Sequence, residues 1–350
     1  MILSVEKVNG SWIYIIPINA LTIKGELKEE YQIYRVTFIS ADKLSRVRKR
    51  FGIPKKVSEL KKNSYCKHFF ENAGSTLAII RLNGPPKNKR KEAIDIIKEE
   101  LNILSASQLG HSRRKHNSHP RIAFSEKQVT TSALCLNQAE DAAFYTMDPI
   151  DKMGDLVLNK RWLNYQNEGF FTNALKIIRK EIQVSKSWRK NIYRVLKLVG
   201  QSVVSREVAY AFLLNMIAIE SLLTRQGDKY TEALPARIEA FIGWIGYWNQ
   251  SGYEARIRGL YKKRCQYVHD GNDESISIED LLFLDDILIN VLSNIINHIS
   301  LFNCKEAVIE FSDKVSAEHT LGIVGKESKV RPKTLSYISR HYDRNDYENI

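Results

Sequence analysis

The sequence predicts an α+β protein in which a strand-rich, mixed N-terminal domain is followed by an α-helical bundle. Three observations support this fold class. Near the N-terminus, Ser11–Pro17 and Tyr31–Ser40 are rich in the β-branched and aromatic residues that favour strands. Between about residues 156 and 302, apolar residues recur with the period of a helix. The chain has 350 residues, 43% of them hydrophobic, which suffices for two packed cores.

The composition changes near Asp148-Pro149, and this change sets the predicted domain boundaries. We assign residues 1–150 to a basic, strand-rich α+β domain and residues 151–312 to a helical domain. Residues 313–350 form a polar C-terminal tail whose end is expected to be loosely held, as chain termini often are.

The N-terminal half contains further predicted strands and one helix. A third strand at Thr76–Gly84 is ended by a Gly-Pro-Pro sequence. Apolar residues at helical spacing predict an amphipathic helix over Lys89–Leu104. A polar, basic loop at Gly110–Pro120 then precedes strand-like segments at Arg121–Phe124 and Thr130–Leu136.

The C-terminal half is predicted to be helical up to about residue 302. Ser185 and Ser277 are placed as N-caps, since serine side chains accept hydrogen bonds from the first free amides of a helix. A broad apolar stripe over Ile278–Ile299 is typical of a helix in the core of a bundle. A short strand is expected at Ala307–Phe311. The predicted helices are 156–164, 168–183, 187–200, 205–225, 231–249, 252–269 and 278–302.

The charge of the chain is strongly basic and unevenly distributed. The net charge is +13 and the isoelectric point is near 9.4. Residues 1–150 carry 25 Lys and Arg against 15 Asp and Glu, a net +10, whereas residues 151–350 carry 28 against 25, a net +3. An excess of this kind favours nucleic acid as a partner, ahead of a membrane surface. A well-solvated basic surface is the alternative.

Several protein classes are disfavoured by what the sequence lacks. The four cysteines, Cys66, Cys135, Cys265 and Cys304, are widely spaced and form no CxxC pair, which argues against zinc ribbons and disulfide scaffolds. No P-loop, GxGxxG, HExxH or GxSxG motif is present. The sequence shows no signal peptide and no apolar run of about eighteen residues. We therefore expect a soluble, cytoplasmic protein that needs no metal or cofactor.

The most informative motif is an arginine and a histidine five positions apart, Arg264 and His269, directly before an Asp-Gly sequence. An arginine can hold a phosphate, and a histidine can move the proton of a 2′-hydroxyl. The Arg-x4-His spacing alone is weak, because it also occurs at Arg114 and His119 in the polar loop. The pair of Arg264 and His269 differs from the pair in the loop because it lies at the end of an amphipathic helix.

Helical geometry limits how the two side chains can cooperate. A five-residue step turns about 140° on an ideal helix, so Arg264 and His269 do not share one face. They could converge around a groove between two copies related by two-fold symmetry, or where the helix unwinds at its end. The structural alternative is an ion pair of Arg264 with Glu220 or Asp270, and a histidine that only complements the helix dipole.

Residues 205–300 resemble a HEPN domain (higher eukaryotes and prokaryotes nucleotide-binding), in particular the ApeA-like branch found in bacterial antiphage defence proteins. The resemblance lies in the apolar helix Ala218-Ile-Glu-Ser-Leu-Leu223 and in the helix end from Arg264 to Gly271. It covers under a third of the chain. One departure is Cys265, where many active HEPN ribonucleases carry a polar Asn, Asp, His or Ser. The resemblance implies a HEPN-like helical bundle that dimerises and cleaves RNA without metal.

The resemblance also implies roles for individual residues. His269 would act as general base or acid on the 2′-hydroxyl or the leaving 5′-oxygen, and Arg264 would bind the scissile phosphate. Glu220 would orient one of these two side chains from the neighbouring helix, and Lys262 and Lys263 would add positive potential for RNA. The products would carry a 2′,3′-cyclic phosphate and a 5′-hydroxyl, and DNA would be inert because it lacks the nucleophile.

The polar loop supplies further candidate RNA contacts at Arg113, Arg114 and Lys115. The loop also contains His111, His116 and His119, but the neighbouring Arg and Lys side chains would repel a metal cation bound by these histidines.

The favoured hypothesis is an RNA endonuclease in antiphage or abortive-infection defence, active as a homodimer through its helical domain. Such an enzyme requires restraint by an inhibitory partner or a phage-derived trigger, an expectation that rests on family analogy. A HEPN bundle that binds RNA or a nucleotide without cleaving it is one alternative, and a purely structural dimerisation domain is another. Cys265 favours binding without cleavage, whereas the intact pair of Arg264 and His269 favours the nuclease.

Overall fold

A computed structural model of the chain describes residues 11–53, 55–63, 66–67, 69–70, 74–83, 86–110, 114–123, 130–137, 142–149, 154–245 and 252–339. The chain divides into two compact units. The N-terminal unit comprises Met1–Leu101 and His116–Trp162, and the C-terminal unit comprises Asn102–Lys115 and Leu163–Ile350. The division at Trp162 lies twelve positions beyond the boundary expected from composition, and the short segment Asn102–Lys115 belongs to the C-terminal unit.

The N-terminal unit is built on a five-stranded antiparallel sheet in the order β3-β4-β5-β1-β6. Strand β5 lies at the centre of this sheet and is buried on both faces over its first five residues. Strands β2 and β9 form a parallel pair, and β7 and β8 an antiparallel pair. The strands are β1 Ser11–Asn19, β2 Leu21–Ile23, β3 Glu30–Gln32, β4 Thr37–Ser40, β5 Thr76–Asn83, β6 Arg121–Ile122, β7 Thr130–Asn137, β8 Ala142–Pro149 and β9 Leu156–Leu158.

Among the described residues, the helices with defined bounds before residue 106 are α1 Leu44–Val47, α2 Val57–Lys62 and α3 Pro86–Ser105. The predicted amphipathic helix over Lys89–Leu104 is therefore confirmed as the main part of α3. An apolar cluster beside the sheet joins the two short helices to strands β4 and β5. Its buried members are Ile39, Leu44, Val47, Ile53, Val57, Leu77 and Ile79.

The prediction of one continuous strand over Tyr31–Ser40 is wrong. The segment forms two short antiparallel strands, β3 and β4, separated by a turn. The buried carboxylate of Glu100 on α3 accepts hydrogen bonds from the backbone amides of Tyr34, Arg35 and Val36 at 2.9–3.0 Å. A tertiary contact thus overrides the local preference for a strand, and burial raises the pKa of Glu100 to about 6.

From Lys160 onward the described chain is dominated by helices. They are α4 Lys160–Glu168, α5 Phe171–Ile178, α6 Lys186–Val204, α7 Val208–Leu223, α8 Tyr230–Ile242, α9 Tyr253–Asp270, α10 Ile278–Asn297 and α11 Lys305–Thr320. Both predicted N-caps are confirmed. Ser185 accepts from the amide of Trp188 at 3.2 Å, and Ser277 forms a reciprocal capping box with Asp280.

Helix α10 is the central helix of the C-terminal unit. Every residue from Asp280 to Ile296 except Asp286 is buried, so the helix is enclosed on all sides rather than along one stripe. The backbone of helix α6 approaches the segment Asn102–Lys115 closely at Gly200. A Cβ atom at this glycine would lie only 1.6 Å from the carbonyl oxygen of Asn102. Only a residue without a side chain permits that approach.

Three expectations for the C-terminal half are corrected. Leu156–Leu158, expected to begin a helix, is strand β9. Ala307–Phe311, expected to be a strand, lies within helix α11, whose buried residues Val308, Ile309, Phe311, Ser312 and Val315 follow helical spacing. The expected tail from residue 313 begins inside this helix, which continues to Thr320.

The residues that follow α11, Gly325–Ser339, are called here the C-terminal segment, and they lie against α10. The side-chain amide of Asn294 exchanges two hydrogen bonds with the backbone of Ser336, both at 2.9 Å. Asn290, one turn earlier, makes the same pair of bonds with the backbone of Ile338 at 3.1 and 2.6 Å. The two asparagines thereby replace the backbone partners that a neighbouring strand would supply.

Candidate functional site

Helix α9 carries the Arg-x4-His motif and is a surface helix. Of its eighteen residues only Ile257 and Leu260 are buried. The helix is continuous to Asp270 and ends at Gly271, which adopts a left-handed conformation with φ of 66° and donates its amide to the carbonyl of Tyr267. The helix therefore does not unwind at His269, and this excludes one of the two ways in which Arg264 and His269 could converge.

Arg264 forms an ion pair with Glu220 of helix α7. Its Nε atom lies 3.1 Å from Oε1 of Glu220, without hydrogen-bond alignment, and Nη2 donates to Oε2 at 3.3 Å. The side chains retain 21% and 11% of their exposure, so the pair sits at the edge of the core. Burial raises the pKa of Glu220, and the positive charge of Arg264 opposes that rise. Of the two acidic partners that the structural alternative allowed, Glu220 and Asp270, the structure shows Arg264 paired with Glu220.

His269 is exposed in the last turn of α9. On a continuous helix, it stands about 7.5 Å along the axis from Arg264 and about 140° around it. Within one copy of the chain the imidazole and the guanidinium thus face different directions. This geometry favours a composite site in which the imidazole comes from another molecule.

Cys265 is partly buried and interacts with Tyr261 one turn earlier on α9. Burial raises the pKa of the Tyr261 hydroxyl to about 12, and a hydrogen bond with the Cys265 thiol contributes to the rise. The thiol is thus engaged with its own helix. It adds no strong hydrogen-bond donor beside Arg264, since a thiol is a weak one.

The two lysines before Arg264 differ in their surroundings. Lys262 is exposed. The Nζ atom of Lys263 donates to the carboxylate of Asp280 at 2.6 Å, and the same carboxylate accepts from the backbone amide of Ser277. Lys263 therefore supports the capped start of α10, and Lys262 is the one left open to an anionic ligand.

The prediction that Arg114 contacts RNA is wrong. Its side chain is only 5% exposed and forms a bidentate ion pair with Asp285, which is 1% exposed, at 2.6 and 2.8 Å. The remaining donors reach the carbonyl and hydroxyl oxygens of Ser202 at 2.7 and 2.9 Å. Arg113 and the side chain of Lys115 lie outside the described residues.

An exposed apolar surface near the candidate site was not anticipated. Tyr210 of α7 and Val268 of α9 remain 42% and 47% exposed, and Leu213 and Ile217 of α7 are only partly buried. Tyr210, Leu213 and Ile217 follow helical spacing and so lie on one face of α7. The sequence signal for this face is the apolar character of α7 on all sides.

Comparison of the chain with protein-family models, with curated proteins and with solved structures gives no match. Within the described ranges, no group of three or more His, Cys, Asp and Glu side chains is arranged to hold a metal ion. None of the helices described is both long enough and apolar enough to pass through a lipid bilayer.

Proposed function

We propose that the protein is a metal-independent RNA endonuclease of the HEPN type that acts as a homodimer. The observation that carries this proposal is the placement of Arg264. Its guanidinium is held from one side by Glu220 at the edge of the core, on the surface helix whose last turn carries the exposed His269. A preoriented arginine and an exposed imidazole are the two groups that cleavage by a 2′-hydroxyl requires.

The chemistry would proceed by attack of the 2′-oxygen on the adjacent phosphorus. His269 would accept the proton of the 2′-hydroxyl as the bond from O2′ to phosphorus forms. Arg264 would stabilise the charge that develops on the non-bridging oxygens. The bond from phosphorus to O5′ then breaks, and a protonated imidazole supplies a proton to the leaving oxygen. The products are a 2′,3′-cyclic phosphate and a 5′-hydroxyl.

Two copies of the chain are required because one copy cannot direct both groups at one phosphate. The partly exposed apolar face of α7 supports a dimer contact beside the site. Covering Tyr210, Leu213 and Ile217 with a partner removes apolar surface from water, which lowers the free energy of the dimer. Packing two such faces by a two-fold axis would place both copies of α9 around a shared groove. The arginine of one copy would then act with the histidine of the other.

Restraint of the activity and a role in antiphage defence are further parts of this proposal. They rest on the resemblance to the ApeA-like branch, because a nuclease of this kind would degrade the RNA of its own cell. The inhibitory partner or phage-derived trigger would act on the dimer or on the basic N-terminal half.

The proposal is tested by incubating the purified full-length protein with total RNA in EDTA at low salt. Wild type should cleave the RNA and leave cyclic phosphate ends, and His269→Ala and Arg264→Ala should lower the rate at least a hundredfold, in line with the loss of a general base. Two matched controls should cleave normally. His319→Ala removes another exposed histidine in the last turn of a helix, and Arg258→Ala removes another arginine from α9.

A second candidate function is binding of RNA or a nucleotide by the dimer without cleavage. The engagement of Cys265 with Tyr261 and of Lys263 with Asp280 favours it, because both leave fewer polar groups beside Arg264. Intact RNA that is nevertheless retained by wild type and released by Arg264→Ala would support this function and overturn the nuclease.

A further inference from the structure

A cavity of about 330 Å³ lies between the end of helix α8 and the C-terminal segment. It is separate from the Arg264 site, and none of its lining residues belongs to helix α7 or α9. Among the described residues, the lining combines one aromatic side chain, three basic side chains and several small or apolar residues. These residues are Trp244, Gly325, Lys326, Ser328, Arg331, Pro332, Lys333 and Leu335.

The wall of the cavity is fixed by Arg331, which is 7% exposed. Its guanidinium donates to the backbone carbonyls of Ala240, Gly325 and Glu239 at 3.0–3.1 Å. It therefore joins the C-terminal segment to the last turn of α8. Glu318 of α11 holds the same segment by accepting from the amides that precede Arg331, at 2.9 and 3.2 Å. The buried and fully paired Arg331 thus fixes one wall of the cavity without a ligand.

The charged residues that line the cavity, within the described part of the chain, are all basic. Lys326 and Lys333 are exposed on its rim and form no ion pair with an acidic residue in the ranges described. Arg331 is the third cation, but it is already paired with Glu239. The two lysines are thus available to an anion that enters from solvent.

The aromatic side chain of the cavity is held in one orientation. The indole Nε1 of Trp244 donates to the carbonyl of Phe241 at 3.1 Å, which satisfies the polar atom of the ring. The partly exposed remainder of the ring lines the cavity. A flat, apolar surface with two free cations nearby suits a ligand that is aromatic at one end and anionic at the other.

We propose that this cavity binds a nucleoside phosphate, with the base stacked on Trp244 and the phosphate held by Lys326 and Lys333. Stacking on an aromatic ring tolerates any base, and lysine amines bind phosphate as point charges. The volume lies at the small end of ligand pockets, which fits a single nucleotide rather than a longer chain. That nucleotide is either a free molecule or the terminal residue of an RNA strand.

The proposal is tested by calorimetric titration of the full-length protein with adenosine 5′-monophosphate (AMP), adenosine, inorganic phosphate and a short 5′-phosphorylated RNA. AMP should bind with a stoichiometry of one. Trp244→Ala should weaken that binding about tenfold, the factor that loss of one base–aromatic stack carries. The double variant Lys326→Glu, Lys333→Glu should weaken it at least as much. Lys329→Glu is the matched control, since this exposed lysine of the same segment does not line the cavity.

The arms of the titration separate the outcomes. Tighter binding of the RNA than of AMP, lost in Trp244→Ala, would identify an RNA end as the source of the nucleotide. Adenosine or inorganic phosphate binding as tightly as AMP would overturn the proposal, as would the absence of binding by AMP and by the RNA. Because the two rim lysines are exposed, their double variant should keep the thermal midpoint of wild type and report on binding alone. His269→Ala should bind AMP normally, so the outcome is independent of RNA cleavage.

Discussion

Replacing Arg114 by alanine should destabilise the C-terminal unit and leave its affinity for RNA unchanged. The guanidinium is buried and, among the described residues, supplies two of the three hydrogen bonds that the carboxylate of Asp285 receives, at 2.6 and 2.8 Å. Of these three bonds, the substitution would leave the 2.7 Å bond from Asn215. A buried charge that loses its partner costs about 3–5 kcal/mol.

This magnitude can be measured by urea unfolding and by thermal unfolding. For a unit of this size, each kcal/mol shifts the midpoint by roughly 2–4 °C, so the expected loss is about 6–20 °C. Asp285→Ala should cost a similar amount, because it leaves the arginine buried and unpaired. The double variant should be far less destabilised than the sum of the two single variants, since the second substitution removes a group that the first has already isolated.

Lys262→Ala is the matched control because Lys262 is exposed and stands in the proposed RNA site. It should change the stability by no more than about 0.5 kcal/mol and should weaken RNA binding. The reasoning is refuted if Arg114→Ala unfolds at the midpoint of wild type and binds RNA less tightly, which would place Arg114 at the surface as the sequence first suggested.

Three further predictions concern other contacts. Gly200→Ala should lower the unfolding free energy measured in urea by about 1–3 kcal/mol, because its Cβ would overlap a backbone carbonyl. Gly259→Ala should raise it by about 0.5–1 kcal/mol, because its Cβ would meet open space within a helix. Equal effects of the two variants would contradict the close backbone approach at Gly200. Burial raises the pKa of Glu100 from 4.5 to about 6, so the folded protein holds a proton on this carboxyl at pH values where the unfolded chain has lost it. The stability that Glu100 contributes therefore falls as pH rises through that range. The difference in unfolding free energy between wild type and Glu100→Gln should shrink by about 2 kcal/mol between about pH 4.5 and pH 7, and a constant difference would contradict this. Asn294→Leu should free the C-terminal segment for early proteolysis and fast hydrogen exchange while the rest of the unit stays protected, and unchanged protection would show that other contacts hold the segment.

The helical half of the fold could be predicted from the sequence because its signals are local. The apolar spacing after Ser277 defines helix α10, and a serine followed three positions later by an acidic residue marks its capped start. Helix α11 can be recognised only when a longer stretch of sequence is considered. Ala307–Phe311 alone favours a strand, and only a window that extends to Val315 reveals the helical spacing of its buried residues.

Contacts between distant parts of the chain could not be predicted. The turn between β3 and β4 depends on Glu100, which lies 64–66 positions away from the amides it binds. The burial of Arg114 depends on Asp285, 171 positions away. The spacing of residues along one segment carries no information on such partners. The sequence therefore predicts a surface position for Arg114, because it lies in a polar, basic loop.

The candidate site was predictable in part. Glu220 and Asp270 were the two acidic partners expected for Arg264, and the structure shows Glu220. The predicted helix 252–269 is confirmed, and the structure continues it through His269 to Asp270. Under the proposed mechanism, that continuity requires the imidazole to come from a second copy of the chain.

The central claim is that a guanidinium and an imidazole from different copies act on one phosphodiester, and subunit mixing tests it most directly. Arg264→Ala and His269→Ala proteins, each inactive alone, are unfolded together and refolded as a mixture. A mixed dimer then holds one site with an intact arginine from one copy and an intact histidine from the other. With random pairing, the mixture should recover about a quarter of wild-type RNA cleavage. A mixture as inactive as its components, beside a wild-type sample that survives the same treatment, would contradict the account.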